Sequence, residues 1–331
     1  MLKITLYIPK INWVVMIFDD VGSFPLPEGI TREWVMQNLD SKEYEEMVQR
    51  AFLMKIKAGV ECPNYPQFQD MVEQFMRLIK NYQENAYLII KEHAIIKELE
   101  YVTKIESDAV RVCVTGPFEL YVKELGTVIY EDILENLAKS VARFVDNALK
   151  YPNVECVCID EPSLGTNPDL QPTQEQLELA FGYFDFDVDV QIHLHSSVYY
   201  ANILDIDTID VIGIESARDI SVLDIIDPQD LESHDKKLRV GVARSDIDSI
   251  IAEFNQKHNV NAWESEELIL KAIDEIESPE VIKTRIEKAY DRFGDLIAYI
   301  GPDCGLFSFP SQESAFKLLQ NVRRALDLWT T

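Results

Sequence analysis

Short β-rich runs recur along this chain, and most of them end on a polar residue. They are WVVMIFDDVGS (13–23), AVRVCVTGP (109–117), VECVCIDEP (154–162), VDVQIHLHS (188–196), VIGIESA (211–217), LRVGVARSD (238–246) and LIAYIGPDC (296–304). Between many of them lie stretches with helical period, at 41–59, 130–150, 264–278 and 311–329. A strand–helix alternation repeated about eight times predicts a parallel sheet with helices packed outside it. Two architectures satisfy that pattern, a doubly wound sheet and a (β/α)₈ TIM barrel. The polar punctuation favours the barrel. Ser23, Thr115, Asp160, Glu161, His193, His195, Glu215, Asp246 and Cys304 all fall at predicted strand ends. A barrel gathers those ends around one site. A doubly wound sheet would concentrate its signal in a glycine-rich first turn. The chain has no G-x-G-x-x-G run and no P-loop, so a nucleotide cofactor has no support. With no long linker, low-complexity tract or short repeat, the expectation is a single domain over 13–331. Residues 1–12 form an N-terminal extension.

Charge narrows the partners. Against 58 acidic residues stand only 31 basic ones, a formal net charge of −27. Such a surface repels phosphate backbones and anionic lipid, so neither nucleic acid nor a membrane is an expected partner. The five cysteines, Cys62, Cys113, Cys156, Cys158 and Cys304, are odd in number and scattered. That is not a disulfide framework, and it fits a reducing compartment. Residues 1–18 are apolar-rich but broken by Lys10 and Asn12, with no signal-peptide pattern. No run reaches the ~20 apolar residues of a membrane span. The expected location is cytoplasmic.

The stretch QIHLHSS (191–197) carries two of the five histidines. Residues i and i+2 of a strand point to one side, so His193 and His195 face together. Imidazole nitrogen and thiolate sulfur are zinc ligands, with carboxylate oxygen an occasional third kind. His193, His195, Glu215 and Cys304 are therefore candidate metal ligands. Each also has a plainer reading. A lone strand cysteine is usually a small core residue, a glutamate at a strand end is usually solvated, and a histidine pair can line a wet pocket. Spacing alone leaves both readings open.

The order of VGSFP (21–25), VTGP (114–117), IDEP (159–162), the His-x-His at 193–195, IESA (214–217) and GPDCG (301–305) resembles the catalytic half of cobalamin-independent methionine synthases. It is most similar to their short, archaeal-type relatives, from about residue 13 to the C-terminus. The wider superfamily includes uroporphyrinogen decarboxylase and methylcobalamin:coenzyme M methyltransferases, all (β/α)₈ barrels. The resemblance implies zinc held by His193, His195, Glu215 and Cys304, with His195 standing where the family has cysteine. An imidazole there still ligates zinc, and makes the site less thiolate-rich and one unit more positive. A shift by one notch would instead put Ser197 at the second position, and serine is a poor zinc ligand.

The same resemblance implies a homocysteine pocket. Val21 and Ser23 would meet the amino-acid carboxylate, and Asp160 the ammonium. Thr115 belongs to the same set of strand ends. The family's Gly-Glu-x-x-Arg-x-Asp-Met run is only partly matched by GVECPNYPQFQDM (59–71): Asp70 is kept, and Asn64, Gln67 or Glu61 would have to replace the glutamate. The family's proton-moving histidine is replaced in DIDS, leaving Asp246 and Asp248 as the candidates for that role. No tryptophan follows TGP to hold a folate. The implied activity is methyl transfer to the thiol of homocysteine, forming methionine, with a methyl-corrinoid (or a methyl-pterin) as donor and a corrinoid protein as partner. The alternatives are another thiol acceptor such as coenzyme M, for which Arg218 and Arg244 are the basic residues beside strand ends, or a non-catalytic metal- or corrinoid-binding accessory protein.

Overall fold

The structure, a computed structural model, describes residues 16–330. The expected extension at 1–12 lies outside them. Seven parallel strands form one sheet: β1 (Ile17–Phe18), β2 (Val110–Thr115), β3 (Val154–Asp160), β4 (Asp189–Leu194), β5 (Val211–Ile214), β6 (Lys237–Ala243) and β7 (Ile297–Pro302). All seven coincide with the runs read from the sequence. Their order is β1-β7-β6-β5-β4-β3-β2, so the first strand pairs with the last and every other strand pairs with its neighbour in sequence. That order belongs to a sheet curling on itself, and differs from a doubly wound sheet, whose order reverses at an internal switch point. Thirteen α-helices accompany it among the described residues. A small antiparallel hairpin, Gln83–Asn85 with Leu88–Ile89, stands apart from the sheet.

The regular ladder stops at seven strands because of residues 60–67. Here Pro63 and Pro66 deny two of the N–H donors that a ladder needs. The segment instead makes isolated parallel bridges, Asp19↔Cys62 and Ser23↔Gln67 on one side and Asn64↔Arg111 on the other. It thus touches both edge strands without being a regular strand. Lys55, on the helix Lys42–Lys57, takes over part of the missing bonding. Its buried ammonium donates to Asp20 at 2.7 Å, to the Asn64 carbonyl at 3.0 Å and to the Gly22 carbonyl at 3.2 Å. Burial lowers its pKa against the pull of Asp20.

Outside the sheet the helices bury apolar stripes. Glu131–Ala148 buries Leu134, Leu137, Val141, Phe144 and Val145 at helical spacing. Gln312–Thr330 does the same with Ala315, Leu318, Leu319, Val322 and Leu326. Inside the curl the side chains are different. Asp19, Arg111, Gln191 and Arg239 are all fully buried there. Arg239 donates to Asp19 at 2.8 Å, and Arg111 pairs with the other Asp19 oxygen at 3.3 Å. Gln191 accepts from Arg111 at 3.2 Å. Two guanidinium groups against one carboxylate leave this layer with one excess positive charge.

Candidate metal centre

The C-terminal ends of β4, β5 and β7 bring the candidate ligands together. His193 is the penultimate residue of β4, and His195 lies one residue past its end. Glu215 follows β5 immediately, and Cys304 lies two residues past β7. One donor atom from each of these four side chains lies within 4.8 Å of every other. The two imidazoles face together, with ring centroids 4.8 Å apart and planes at 67°. Glu215 Oε1 lies 3.5 Å from His193 Nε2 and 3.4 Å from His195 Nδ1. His195 Nε2 lies 3.8 Å from Cys304 Sγ. Asp160, last residue of β3, sits beside the group, with Oδ1 at 3.7 Å from His195 Nε2 and 4.0 Å from His193 Nε2.

These gaps are too long for hydrogen bonds between nitrogen and oxygen. Both nitrogens of His193, Glu215 Oε1 and Asp160 Oδ1 are buried without a hydrogen-bond partner. Buried polar atoms are otherwise almost always satisfied. The orphaned atoms of His193 and Glu215 converge with His195 and Cys304, and an N, N, O, S donor set of this kind fits a zinc ion. The cluster contains His195 and not Ser197, which opens a 3₁₀ turn at Ser197–Tyr199.

Electrostatics divides these side chains. Burial holds His193 well below its ordinary pKa despite Asp160, so its ring is neutral. For His195 burial also opposes the charge, but Asp160 and Cys304 outweigh it and push the pKa up to about 11. Burial tends to raise Asp160, yet His195, His193 and Arg111 win and lower it. Burial raises both Glu215 and Cys304.

The other sequence candidates separate. Ser23 packs against Gly305, where a Cβ would collide with its hydroxyl, so it adjoins the Cys304 loop. Val21 is buried in the same turn. Thr115 ends β2 but spends its hydroxyl on the Met71 carbonyl at 2.7 Å. Asn64 is buried, its amide donating to the Tyr65 carbonyl at 2.7 Å, with Oδ1 left unpartnered. Asp70 caps the helix Met71–Asn81 and pairs with Arg32, and Asp246 caps Ile247–His258. Asp248 is exposed on that helix's first turn. Gln67 donates to Gln74, while Glu61 accepts the Phe18 N–H. Arg244 is committed to Glu277 and Glu253.

Two features escaped the sequence reading. One is the charged layer of Asp19, Arg111 and Arg239. Its signal was an arginine alternating with valine in VRVCV and LRVGV, inside strands of a parallel sheet that should be apolar throughout. The other is Asp303, whose buried carboxylate accepts the N–H groups of Ser216 and Ala217, each at 2.9 Å. Burial pushes its pKa up to about 7.

Fold and site together define an α/β protein with a curled parallel sheet and, at its C-terminal edge, a cluster of side chains that could hold a metal ion. No family model and no curated protein matches the chain. Among solved structures it is similar to a B12-independent methionine synthase from Shewanella sp. W3-18-1, in complex with selenomethionine. The identity is 13% and the TM-score 0.62, over 95% of this chain and 97% of that one. The homocysteine methyltransferase MmuM from Escherichia coli, in its apo form, aligns at 10% identity and a TM-score of 0.48, over 93% of this chain and 95% of that one. At 13% identity the likeness to the Shewanella structure is one of fold. Among the described residues no helix is long and apolar enough to cross a membrane.

Proposed function

We propose that this protein is a zinc-dependent S-methyltransferase that methylates the thiol of homocysteine to give methionine. The observation that carries the reading is the convergence of His193, His195, Glu215 and Cys304, with orphaned buried atoms among them. A zinc ion bound there would supply Lewis acidity, which favours the thiolate form of an incoming thiol near neutral pH. The thiolate, rather than the thiol, is the nucleophile that methyl transfer needs.

The chain's own groups then bind and orient. Asp160 presents an unpartnered carboxylate oxygen suited to an ammonium group. Ser23, against the Cys304 loop, offers a hydroxyl and neighbouring backbone to a carboxylate. Holding the sulfur in line with the methyl group supplies the remaining advantage, through lost freedom prepaid on binding. As the sulfur–carbon bond forms, the bond to the donor breaks and its electron pair stays with the donor. The absence of tryptophan after Gly116–Pro117 supports a methyl-corrinoid over a folate.

A sulfonate-bearing acceptor is the weaker alternative: Arg244 is held by Glu277 and Glu253, which leaves the exposed Arg218 as its basic residue. The reading extends to the fold: residues 60–67 complete an eight-membered (β/α)₈ barrel, supported by their bridges to both edge strands, and one domain spans the described residues. A cytoplasmic, reducing setting is supported by five cysteines that all remain thiols.

The test is methyl transfer from methylcobalamin to homocysteine, coenzyme M and other thiols, with metal-depleted and zinc-reloaded protein. Methionine formation that requires zinc is the expected result. Transfer to a different thiol would reassign the substrate, and none with any thiol would favour an accessory protein.

A further inference from the structure

Glu215 and Cys304 leave β5 and β7, which are not neighbours. Strand β6 lies between them, pairing with both. Its own C-terminal end, with Gly241 and Ala243, contributes no donor to the cluster. No ladder joins β5 to β7 directly, so the distance between these two candidate ligands is set through β6, and any flexing of β6 would change it.

One side chain crosses the gap. The Asp303 main-chain N–H donates to the Ala243 carbonyl at 2.8 Å, seating the residue on β6. Its Oδ1 then reaches over that strand to accept the N–H groups of Ser216 and Ala217, both at 2.9 Å. Ser216 in turn donates its hydroxyl to the Gly241 carbonyl at 2.8 Å. The crossing has space only because residue 241 is glycine. A Cβ there would collide with Asp303 Oδ1. Ser216 follows Glu215 directly, and Cys304 follows Asp303 directly. A single buried carboxylate oxygen thus ties together the backbones that carry two of the four donors.

We infer that Asp303 is a positioning residue that sets the spacing of Glu215 and Cys304 across β6, and so tunes the affinity and geometry of the metal centre. The inference rests on the zinc reading above. Groups that orient metal ligands from outside typically contribute about 10–100-fold to metal affinity. Asp303 acts here through main-chain N–H groups rather than through the ligands themselves. What it supplies is an acceptor at a fixed place, which an amide oxygen can also supply.

The experiment compares the full-length wild type with D303A, D303N and G241A. It reads zinc affinity by chelator competition, the visible absorption of the cobalt(II)-loaded protein, and folding by circular dichroism. D303A should keep its fold, lose about 10–100-fold in zinc affinity and show an altered cobalt spectrum. D303N should recover both. G241A should reproduce the loss, since it pushes the carboxylate aside without removing it. A folded D303A or G241A with wild-type affinity and spectrum overturns the inference, as does a D303N as impaired as D303A. Where D303A fails to fold, G241A decides, and failure of both to fold overturns it by assigning the tie to the fold alone. Wild-type protein that binds neither zinc nor cobalt instead refutes the metal reading.

Discussion

His195 carries the largest departure from the family that this sequence resembles, an imidazole in place of a thiolate. Its consequence is electrostatic. In the proposed zinc site three formally anionic ligands become two, Glu215 and Cys304, and Asp160 stands close enough to His195 to restore a negative neighbour. Asp160 is not a member of the four-donor cluster, and in the proposed function it meets the substrate ammonium group while still facing His195. Asp160→Asn should therefore raise the KM for homocysteine about 10–100-fold, the worth of one charge-assisted hydrogen bond of roughly 1.5–3 kcal/mol. Bound zinc should stay unchanged. Steady-state kinetics with parallel metal analysis checks this, and a loss of zinc would move Asp160 into the ligand set. Glu98 supplies a separate residue-scale test. Burial raises its pKa, against hydrogen bonds from Tyr44 at 2.5 Å and Gln69 at 2.7 Å. The native state thus holds a proton that the unfolded chain has released. Above the unfolded value of about 4.3, stability falls as pH rises, until the raised native value is passed. Glu98→Gln should flatten that fall in pH-dependent denaturation, and an unchanged slope would contradict it.

At the scale of elements, periodicity made the strands legible because a parallel strand buried on both faces reads as a short apolar run. The helices Lys42–Lys57 and Glu131–Ala148 were legible for the matching reason, an apolar stripe at helical spacing. Residues 60–67 were not, since Pro63 and Pro66 erase the pattern and the bonding there comes from Lys55, distant in sequence from Asp20. The metal-ligand candidates were found because each ends a strand and carries distinctive chemistry. Asp246 follows β6 and Asp70 follows the irregular segment 60–67, yet both cap helices, a role with the same local signature. Arg239 is the clearest omission. Its guanidinium pairs with Asp19 and donates to the Pro302 carbonyl at 2.9 Å, holding β7 just below Cys304. Arg239→Met should cost about 3 kcal/mol, at the lower end for breaking a buried ion pair, because Arg111 still faces Asp19. Urea denaturation measures it, and a cost below about 1 kcal/mol would show the layer to be dispensable.

At the scale of the whole molecule, two charge patterns oppose each other. The chain bears −27 overall, while the layer inside the curl has one positive charge in excess. The exterior repels itself, so added salt should stabilise the fold. Raising ionic strength from about 0.01 M to about 0.15 M, which shortens the Debye length from about 30 Å to about 8 Å, should raise the thermal midpoint. A flat or falling midpoint would mean that pairs such as Lys80–Glu124 and Lys104–Glu45 dominate instead. The interior charge lies beneath a site rich in carboxylate and thiol, where it favours anions without being a ligand.

The central claim is that these strand ends make a zinc site through His195. Zinc titration of metal-depleted protein tests it most directly, comparing wild type with His195→Ala and Ser197→Ala. One zinc per chain is expected in wild type and in Ser197→Ala, and at least about a 100-fold loss of affinity in His195→Ala, since a ligand should matter no less than the groups that orient it. Full zinc binding by His195→Ala, with loss in Ser197→Ala, would contradict it.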